Sequence, residues 1–430
     1  MPEQHPASDQ RALRHIVVVG AGLAGLQTTS SLREAGFRGK VTVLGSEGLA
    51  PYDRPPLSKD LFTRREPAWL AADFGADIHE VADDVRLAAP AHRLAPGSGG
   101  RGVVVGLDGG LELEADAVVL ACGAHAWSPP FVDGALTLHT AADAAVLRER
   151  LTPGTRLVCI GAGWIGSEIS GVAAQKGVHV TVLEAAEAPL ARQLGSAIGA
   201  LTIPWYASSG VDLHLGARVT LVRPDGVGLA DGRWFPADVV LAAVGARPST
   251  DWLAGVLPLS PRGAVAVDRA GRVADGHSGF APGTVRAVGD CADRFTVRDG
   301  LVRGGHWASA LHDPTILATD MLGGPLPQAD PARYTFSTQH GHSIALFGQP
   351  AAGQRAVVRG DPHTGEWGAL YVEHRDGLRP TEAVLTAGLA VDAPRAVTAL
   401  RRMLGGRTLP VIDVEVAADP SRSLRDAWRS

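Results

Sequence analysis

Cysteine is scarce: Cys122, Cys159 and Cys291 are the three in 430 residues. They lie far apart in sequence and form no CxxC or other close pair, which argues against a disulfide framework or a zinc site and predicts no metal ligation. A reducing, cytoplasmic setting fits that usage. No stretch approaches the roughly 18 consecutive apolar residues that span a bilayer, so no membrane insertion is expected. The first fourteen residues are polar, with Pro2, Glu3, Pro6 and Asp9 and no apolar core segment; they are expected to form a loose tail rather than a secretory signal. A formal net charge of -5 is mild for this length, so neither nucleic acid nor an anionic membrane is an evident partner. What is present is a globular composition, 45% apolar and 20% charged with nine Trp and nine Phe. The length exceeds one core and implies two or three domains, hence a cleft.

The chain echoes itself. His15-Ile-Val-Val-Val-Gly-Ala-Gly-Leu-Ala-Gly25 leads into a helical run ending at Ala35-Gly36, and Val41–Leu44 resumes as a strand. Leu157-Val-Cys-Ile-Gly-Ala-Gly-Trp-Ile-Gly166 leads into Ser167–Lys176, Gly177 and the strand Val178–Glu184. Each is a short β-branched strand, a glycine turn, a helix closed by glycine and a second strand, the βαβ unit of a parallel sheet. Two such units predict two nucleotide-binding domains.

The glycine spacing has a physical meaning. The first glycine permits a sharp strand-to-helix turn, the second lets backbone approach a diphosphate, and the third lets helix sit close on strand. Gly20, Gly22 and Gly25, with Leu23 and Ala24 between them, fill one set. Gly161, Gly163 and Gly166, with Trp164 and Ile165, fill the other. Glu184 closes the second unit's second strand, where a carboxylate accepts hydrogen bonds from ribose hydroxyls and repels a 2′-phosphate. Ala185 and Ala186 follow and supply no arginine for that phosphate, so NADH is expected over NADPH. In the first unit that position is Gly45, and the nearest carboxylate is Glu47.

Elsewhere, Val103–Leu107 and Leu111–Leu120 read as strands joined by Asp108-Gly109-Gly110, with Ala95–Gly102 as a loop. Val239–Gly245 is a buried-type run that breaks at Ala246-Arg247-Pro248. Thr284–Val288 is a further strand, and His306–Leu322 has helical spacing with Pro314 as a candidate kink. Tyr334–Phe347 and Ala356–Val372 read as strands and Ala393–Leu404 as a helix, which suggests a small third domain.

Pro51-Tyr-Asp-Arg-Pro-Pro-Leu-Ser-Lys59, lying between the two glycine units, resembles a segment of the FAD- and NADH-binding ferredoxin reductases that serve Rieske-type dioxygenases and bacterial cytochromes P450. Ala121-Cys-Gly-Ala124 resembles that family's ATGA turn, Val288-Gly-Asp-Cys-Ala292 its AxGDxA flavin motif, and His306-Trp307 precedes the next helix as there. The resemblance implies an α/β fold of the glutathione-reductase type: two Rossmann-like domains and a small α+β C-terminal domain. The expected boundaries are a tail at 1–14, an FAD domain of 15–123 and 246–325, an NADH domain of 124–245, and a C-terminal domain of 326–430. It further implies that Arg54 contacts the FAD pyrophosphate and Asp290 the ribityl chain. Lys59, paired with Glu168, would lie beside the flavin ring, and Trp307 near ring and nicotinamide. Glu47, Ala121, Gly123, Gly245 and Gly289 complete the expected cofactor set, with Trp164 either gating the nicotinamide or merely packing. Departures are Cys122 for threonine, Gly305 for glutamate, and Arg333–Gln339, which only partly matches PYFWSDQ and puts Phe336 in the tryptophan's place.

Related two-nucleotide flavoenzymes carry a redox cysteine or cysteine pair after the first unit, but Leu49–Phe62 has none. Electrons are therefore expected to pass as hydride from nicotinamide to flavin and to leave the flavin singly for a small iron-sulfur ferredoxin. Cys159 is expected to be a buried packing residue, and Cys122 and Cys291 turn or packing residues with a place near FAD left open. Arg401-Arg402 and Arg422, Arg425 and Arg429 are candidate docking charges or simply solvated ones. Rival readings are an NADH oxidoreductase with a quinone, radical or oxygen as acceptor, and a redox-controlled interaction protein resembling apoptosis-inducing factor. Monomer and homodimer both remain open.

Overall fold

Strands buried on both faces must be apolar throughout, and His15–Val19 presents Ile16, Val17, Val18 and Val19, all buried. In the computed structural model, which describes residues 13–75, 77–273, 279–296, 298–330 and 332–429, this strand lies at the centre of a five-stranded parallel sheet. The order is Val285–Ala287, Ala117–Leu120, His15–Val19, Lys40–Leu44, Asp84–Arg86. One face is covered by the helices Leu23–Glu34 and Trp307–Met321, through Leu26, Leu32 and Leu317. The other is covered by an antiparallel meander, Ala91–Pro96, Val103–Leu107 and Glu112–Ala115, through Leu94, Val103 and Val105. Most of the expected tail falls outside the described residues, but Arg14 N–H donates to the Asp116 carboxylate at 2.7 Å.

The second unit repeats this plan. Its four-stranded parallel sheet runs Asp212–His214, His179–Leu183, Arg156–Ile160, Val239–Ala242. Helices Ala141–Arg150 and Trp164–Gln175 cover one face, and a second meander, Val219–Arg223, Gly226–Leu229 and Trp234–Pro236, covers the other. Where the chain passes between the two sheets, Ala124–Ala126 pairs antiparallel with Ala246–Pro248. The outgoing and returning segments therefore run side by side.

Residues 334–429 form a mixed unit. Strands in the order Tyr334–Gln339, His342–Gly348, Glu382–Val391, Trp367–Glu373, Arg355–Gly360 are antiparallel, and Val411–Asp413 pairs with Glu382–Val384. Helix Pro394–Met403 packs on one face through Leu400 and Met403. The other face buries Trp367, Ala369 and Tyr371 against Leu190, Leu194, Ile198 and Trp205 of the second unit.

Several expectations required correction. The run Leu111–Leu120 is two strands in two different sheets, broken at Asp116, whose carboxylate accepts from Arg14 N–H and His15 N–H. Tyr334–Phe347 folds back at His340 and Gly341, with φ of 51° and 87°, the left-handed pair that a tight hairpin demands. Ala356–Val372 is likewise a hairpin, not one strand, and the expected loop at Ala95 begins inside a strand that runs to Pro96. The second meander and the ten-residue strand Glu382–Val391 were not expected at all. Helix Trp307–Met321 runs through Pro314.

The close packing of helix on strand gives a test. A Cβ on Gly25 would lie 1.9 Å from the carbonyl oxygen of Gly20, a backbone atom that cannot yield. Gly25→Ala is expected to destabilise the protein by about 1–3 kcal/mol, read as a lowered denaturant midpoint at unchanged slope; an unchanged midpoint would contradict this packing.

Candidate functional site

Both glycine turns show the division of labour their spacing implies. Gly20 adopts φ 123°, and a Cβ there would meet the Ala121 oxygen at 2.0 Å; Gly161 adopts φ 100°, and its Cβ would meet the Ala243 oxygen at 2.7 Å. The third glycines are as crowded, with Gly25 against the Gly20 oxygen and Gly166 against the Gly161 oxygen at 2.0 Å. The middle glycines, Gly22 and Gly163, have nothing within 4 Å of a Cβ. Each is the N-cap of its helix, and neither first turn holds an acid. Open space at an uncapped helix N-terminus is what a diphosphate needs, so both turns fit a dinucleotide. Leu23 and Ala24 in the first turn are buried, as is Ala121 beside it. In the second, Ile165 is 38% exposed, while Trp164 is partly buried against the apolar cluster shared by the second unit and the C-terminal sheet.

The acids beside the two turns differ. Glu184 stands at the strand end, its Oε2 accepting from Ala162 N–H and its Oε1 from Ala186 N–H, both at 2.7 Å. At Gly45 a Cβ would lie 2.9 Å from the Leu87 oxygen and 3.0 Å from Ala21 Cβ, so no side chain fits. Glu47 is engaged nearby: the Tyr52 hydroxyl donates to it at 2.5 Å and Arg54 at 2.6 Å. Arg54 also donates to the His139 carbonyl at 2.5 Å. Two residues expected to meet a cofactor separately are thus each other's partners. Burial pushes the Tyr52 phenol up to about 12, so it acts as a neutral donor.

Two further turns flank the first cradle. Gly123 has φ 67° and follows strand Ala117–Leu120; Gly289 has φ 75°, and its Cβ would lie 2.9 Å from Ala24 Cβ. Asp290 Oδ1 accepts from Gly305 N–H at 3.1 Å, and burial raises its carboxyl while Arg54 opposes the shift. Gly245, φ 125°, ends the second sheet's exit, and its carbonyl accepts from Trp127 N–H at 2.9 Å.

Lys59, Glu168 and Trp307 are brought together. Lys59 Nζ lies 2.8 Å from Glu168 Oε1, and Glu168 is only 3% exposed. Ser58 donates to the other Glu168 oxygen, and Ser337 donates to Oε1 at 2.5 Å, itself accepting from Gln339 at 3.0 Å. A carboxylate taken out of water needs such donors to offset lost hydration. Lys59 Nζ also stands 5.1 Å from the Phe336 ring centroid, a cation–π distance. Trp307 meets Phe336 edge to face at 5.9 Å and donates from Nε1 to Asp53 at 2.8 Å. Tyr334 continues the aromatic row, with Arg401 5.0 Å over its ring. Of the candidate docking arginines, Arg401 adjoins this site, whereas Arg429 pairs with Asp413. Cys159 is buried in the second sheet, which pushes its thiol up to about 12.

Asp53, Ser58, Ser337 and Gln339 were not singled out from sequence. Asp53 and Ser58 sit inside the Pro51–Lys59 segment, and Ser337 and Gln339 inside the Arg333–Gln339 segment that partly matches PYFWSDQ, so both segments were usable signals; the contact of Ser337 with Glu168 spans 169 positions, and nothing local marks that.

Known proteins resemble this chain over most of its length. The model of the pyridine nucleotide-disulphide oxidoreductase family matches residues 14–311, and that of the reductase C-terminal family matches residues 334–428. The chain is similar to the ferredoxin reductase component of chlorobenzene dioxygenase from Cupriavidus sp. (strain PS12), with 32% identity over 430 residues, covering 97% of this chain and 98% of the relative. It is similar to the ferredoxin–NAD(+) reductase component of the biphenyl dioxygenase system of Paraburkholderia xenovorans (strain LB400), 32% identical over 427 residues, 96% and 98% covered. The crystal structure of the ferredoxin reductase for the CYP199A2 system from Rhodopseudomonas palustris superposes with a TM-score of 0.80 at 28% identity, covering 96% of this chain and all of that one.

Three partly buried imidazoles make acid the weak side of this protein. Burial lowers His139, His306 and His340 to about 4, helped by Arg54 at His139, by Arg333 and Arg262 at His306, and by His342 at His340. An unfolded imidazole binds its proton near pH 6.5, so between that value and about 4 the unfolded chain holds more protons than the folded one. Their stabilisation is complete above about pH 6.5 and is lost as pH falls towards 4, on the order of 1–3 kcal/mol for each. Urea midpoints should fall steadily from pH 7 to 5, and His340→Asn should flatten that fall; a wild-type profile already flat would refute it.

Proposed function

Because the chain belongs to the pyridine nucleotide-disulphide oxidoreductase family, we propose that it is an NADH-dependent flavoprotein reductase, passing electrons through FAD to a small iron-sulfur ferredoxin that feeds an oxygenase or a cytochrome P450. The observation that carries this reading is the pairing of two equivalent diphosphate cradles across one buried ion pair. Lys59 comes from the helix Pro56–Lys59, which follows the first βαβ unit in sequence, and Glu168 from the helix that opens the second. The relatives' names, each a ferredoxin reductase of an oxygenase or of a CYP-designated system, support the acceptor.

FAD would occupy the turn at Gly20, Gly22 and Gly25, and NADH the turn at Gly161, Gly163 and Gly166. Bound FAD supplies acceptance of hydride from NADH and release of single electrons. The protein's part is geometry and charge. Glu184 offers a carboxylate, held by two backbone N–H groups, to ribose hydroxyls and repels a 2′-phosphate. Lys59, held by Glu168 and the Phe336 face, places a cation where negative charge on a reduced ring is stabilised. Trp307 and Phe336, set edge to face, supply an apolar boundary, with Trp307 fixed by its bond to Asp53. Arg54 and Asp290 flank the first cradle, with Glu47 orienting Arg54. No cysteine stands in Leu49–Phe62 to relay electrons. Arg401, 5.0 Å over the Tyr334 ring, would offer a cation to an acidic ferredoxin. No helix of the described residues is long and apolar enough to cross a membrane, and we place the protein in the cytoplasm.

Anaerobic reduction with NADH, followed by mixing with a panel of ferredoxins, quinones and oxygen, tests the acceptor. Fast one-electron reoxidation by a ferredoxin alone is expected; rapid turnover only with quinone or oxygen would overturn the assignment, as would a purified protein that takes up no flavin. Glu184→Ala removes a charged hydrogen-bond acceptor from ribose, so its KM for NADH should rise roughly tenfold or more with kcat little changed. An unaltered KM would remove Glu184 from the nucleotide site.

A further inference from the structure

A guanidinium taken out of water needs a counter-charge or a full set of acceptors. Arg333 is 9% exposed, yet among the described residues it forms no ion pair, and its Nη2 is buried without a hydrogen-bond partner. The carboxylates around it are already engaged. Asp330 lies 3.2 Å from Arg269 and 3.4 Å from Arg294, Asp313 lies 3.0 Å from Arg294, and Asp293 lies 2.7 Å from Arg262. Even Arg294, itself buried, keeps its Nε without a partner. Arg269, Arg294 and Arg333 thus share two carboxylates, Asp313 and Asp330, and positive charge is in excess. Burial lowers Arg333 and raises Asp313, so it works against both charges, but an arginine cannot give up its proton in answer.

Arg333 and Arg294 line one small cavity of about 10 Å³, room on the order of a single water-sized particle. Arg269 and Arg303 line it too, and among the described lining residues Asp313 is the one carboxylate. Arg303 is exposed, which gives the cavity a rim at the surface. The walls come from separate parts of the chain. Gly289 belongs to the turn that flanks the first cradle, and Ser309 and Leu317 belong to helix Trp307–Met321. Arg333 directly precedes strand Tyr334–Gln339 of the C-terminal sheet, and its carbonyl accepts from Gly348 N–H at 3.0 Å. An occupant of this cavity therefore touches the first nucleotide unit and the C-terminal unit together.

We propose that this cavity binds one monatomic, monovalent anion, a halide such as chloride, between Arg333 and Arg294, where it neutralises Arg333 and joins the C-terminal sheet to the first nucleotide unit. Size and charge select that class. Water accepts a hydrogen bond but leaves the charge uncompensated, a cation is repelled by the lining arginines, and sulfate or phosphate exceeds a water-sized space. The site is independent of which dinucleotide fills either cradle.

The test follows the thermal midpoint of the whole protein, as purified with its cofactor, against sodium chloride concentration, with sodium gluconate, a monovalent but bulky anion, holding ionic strength constant. A ligand bound only by the folded state raises the midpoint with the logarithm of its concentration, here by roughly 2 °C for each tenfold rise in chloride once the site fills. Bromide should replace chloride. Arg333→Met removes the charge and should abolish the dependence, while its midpoint in gluconate stays at least as high as that of the wild type. A second readout needs no variant: wild-type crystals grown in bromide should show an anomalous peak within hydrogen-bond reach of the Arg333 and Arg294 guanidinium groups. Equal midpoints in chloride and gluconate, a chloride dependence that Arg333→Met retains in full, or water density without anomalous signal at that position overturns the proposal.

Discussion

A carboxylate buried where three parts of the chain meet has to be saturated with donors, and much of this structure is arranged around that requirement. Glu168 rises from the helix of the second nucleotide unit; Lys59 and Ser58 reach it from the first, and Ser337 from the C-terminal sheet. Removing one partner of such a buried pair typically costs about 3–5 kcal/mol, because the other charge is left stranded. The same contacts therefore hold the units in register and hold Lys59 in place. Stability and electrostatic positioning here are one arrangement rather than two.

Around this junction the chain uses one structural idea twice. Each unit sets a parallel sheet between helices and an antiparallel meander, and each ends its first strand in a turn whose outer glycines are crowded by backbone and whose middle glycine is open. Crowding fixes the helix against the strand, which aims its N-terminal N–H groups into the open space. The two copies then diverge in charge. Beside the second turn a carboxylate, Glu184, is held by two backbone N–H groups, while at the first turn Gly45 is too confined for any acid and Glu47 is spent on Arg54 and Tyr52. Similar cradles with different rims are what two different dinucleotides require.

The C-terminal sheet contributes chemistry as well as cover. Its first strand carries Tyr334, Phe336 and Ser337, so a single edge supplies an aromatic face, a cation–π partner for Lys59 and a donor to Glu168. Its opposite face is buried against Trp205 and neighbours of the second unit. An edge strand fixed from both sides can present side chains precisely enough to matter at the junction.

Local pattern determined the two βαβ units, their glycine turns and Glu184, because each depends on spacing within some thirty residues, where a strand or helix period writes itself directly into the order of apolar residues; the Pro51–Lys59 segment was marked by its family resemblance instead. Lys59 and Glu168 came as a pair from the family resemblance rather than from any local period. Tertiary structure decided what those residues touch. Asp116 splits one apolar run between two sheets because its carboxylate caps the incoming strand; Glu382–Val391 is central and buried on both faces, so it lacks the alternation that would mark it. Ser337 with Glu168 and Trp307 with Asp53 are pairs made by chain segments that meet only when strands and loops stack, and no periodicity in one segment carries information about which distant segment will lie beside it.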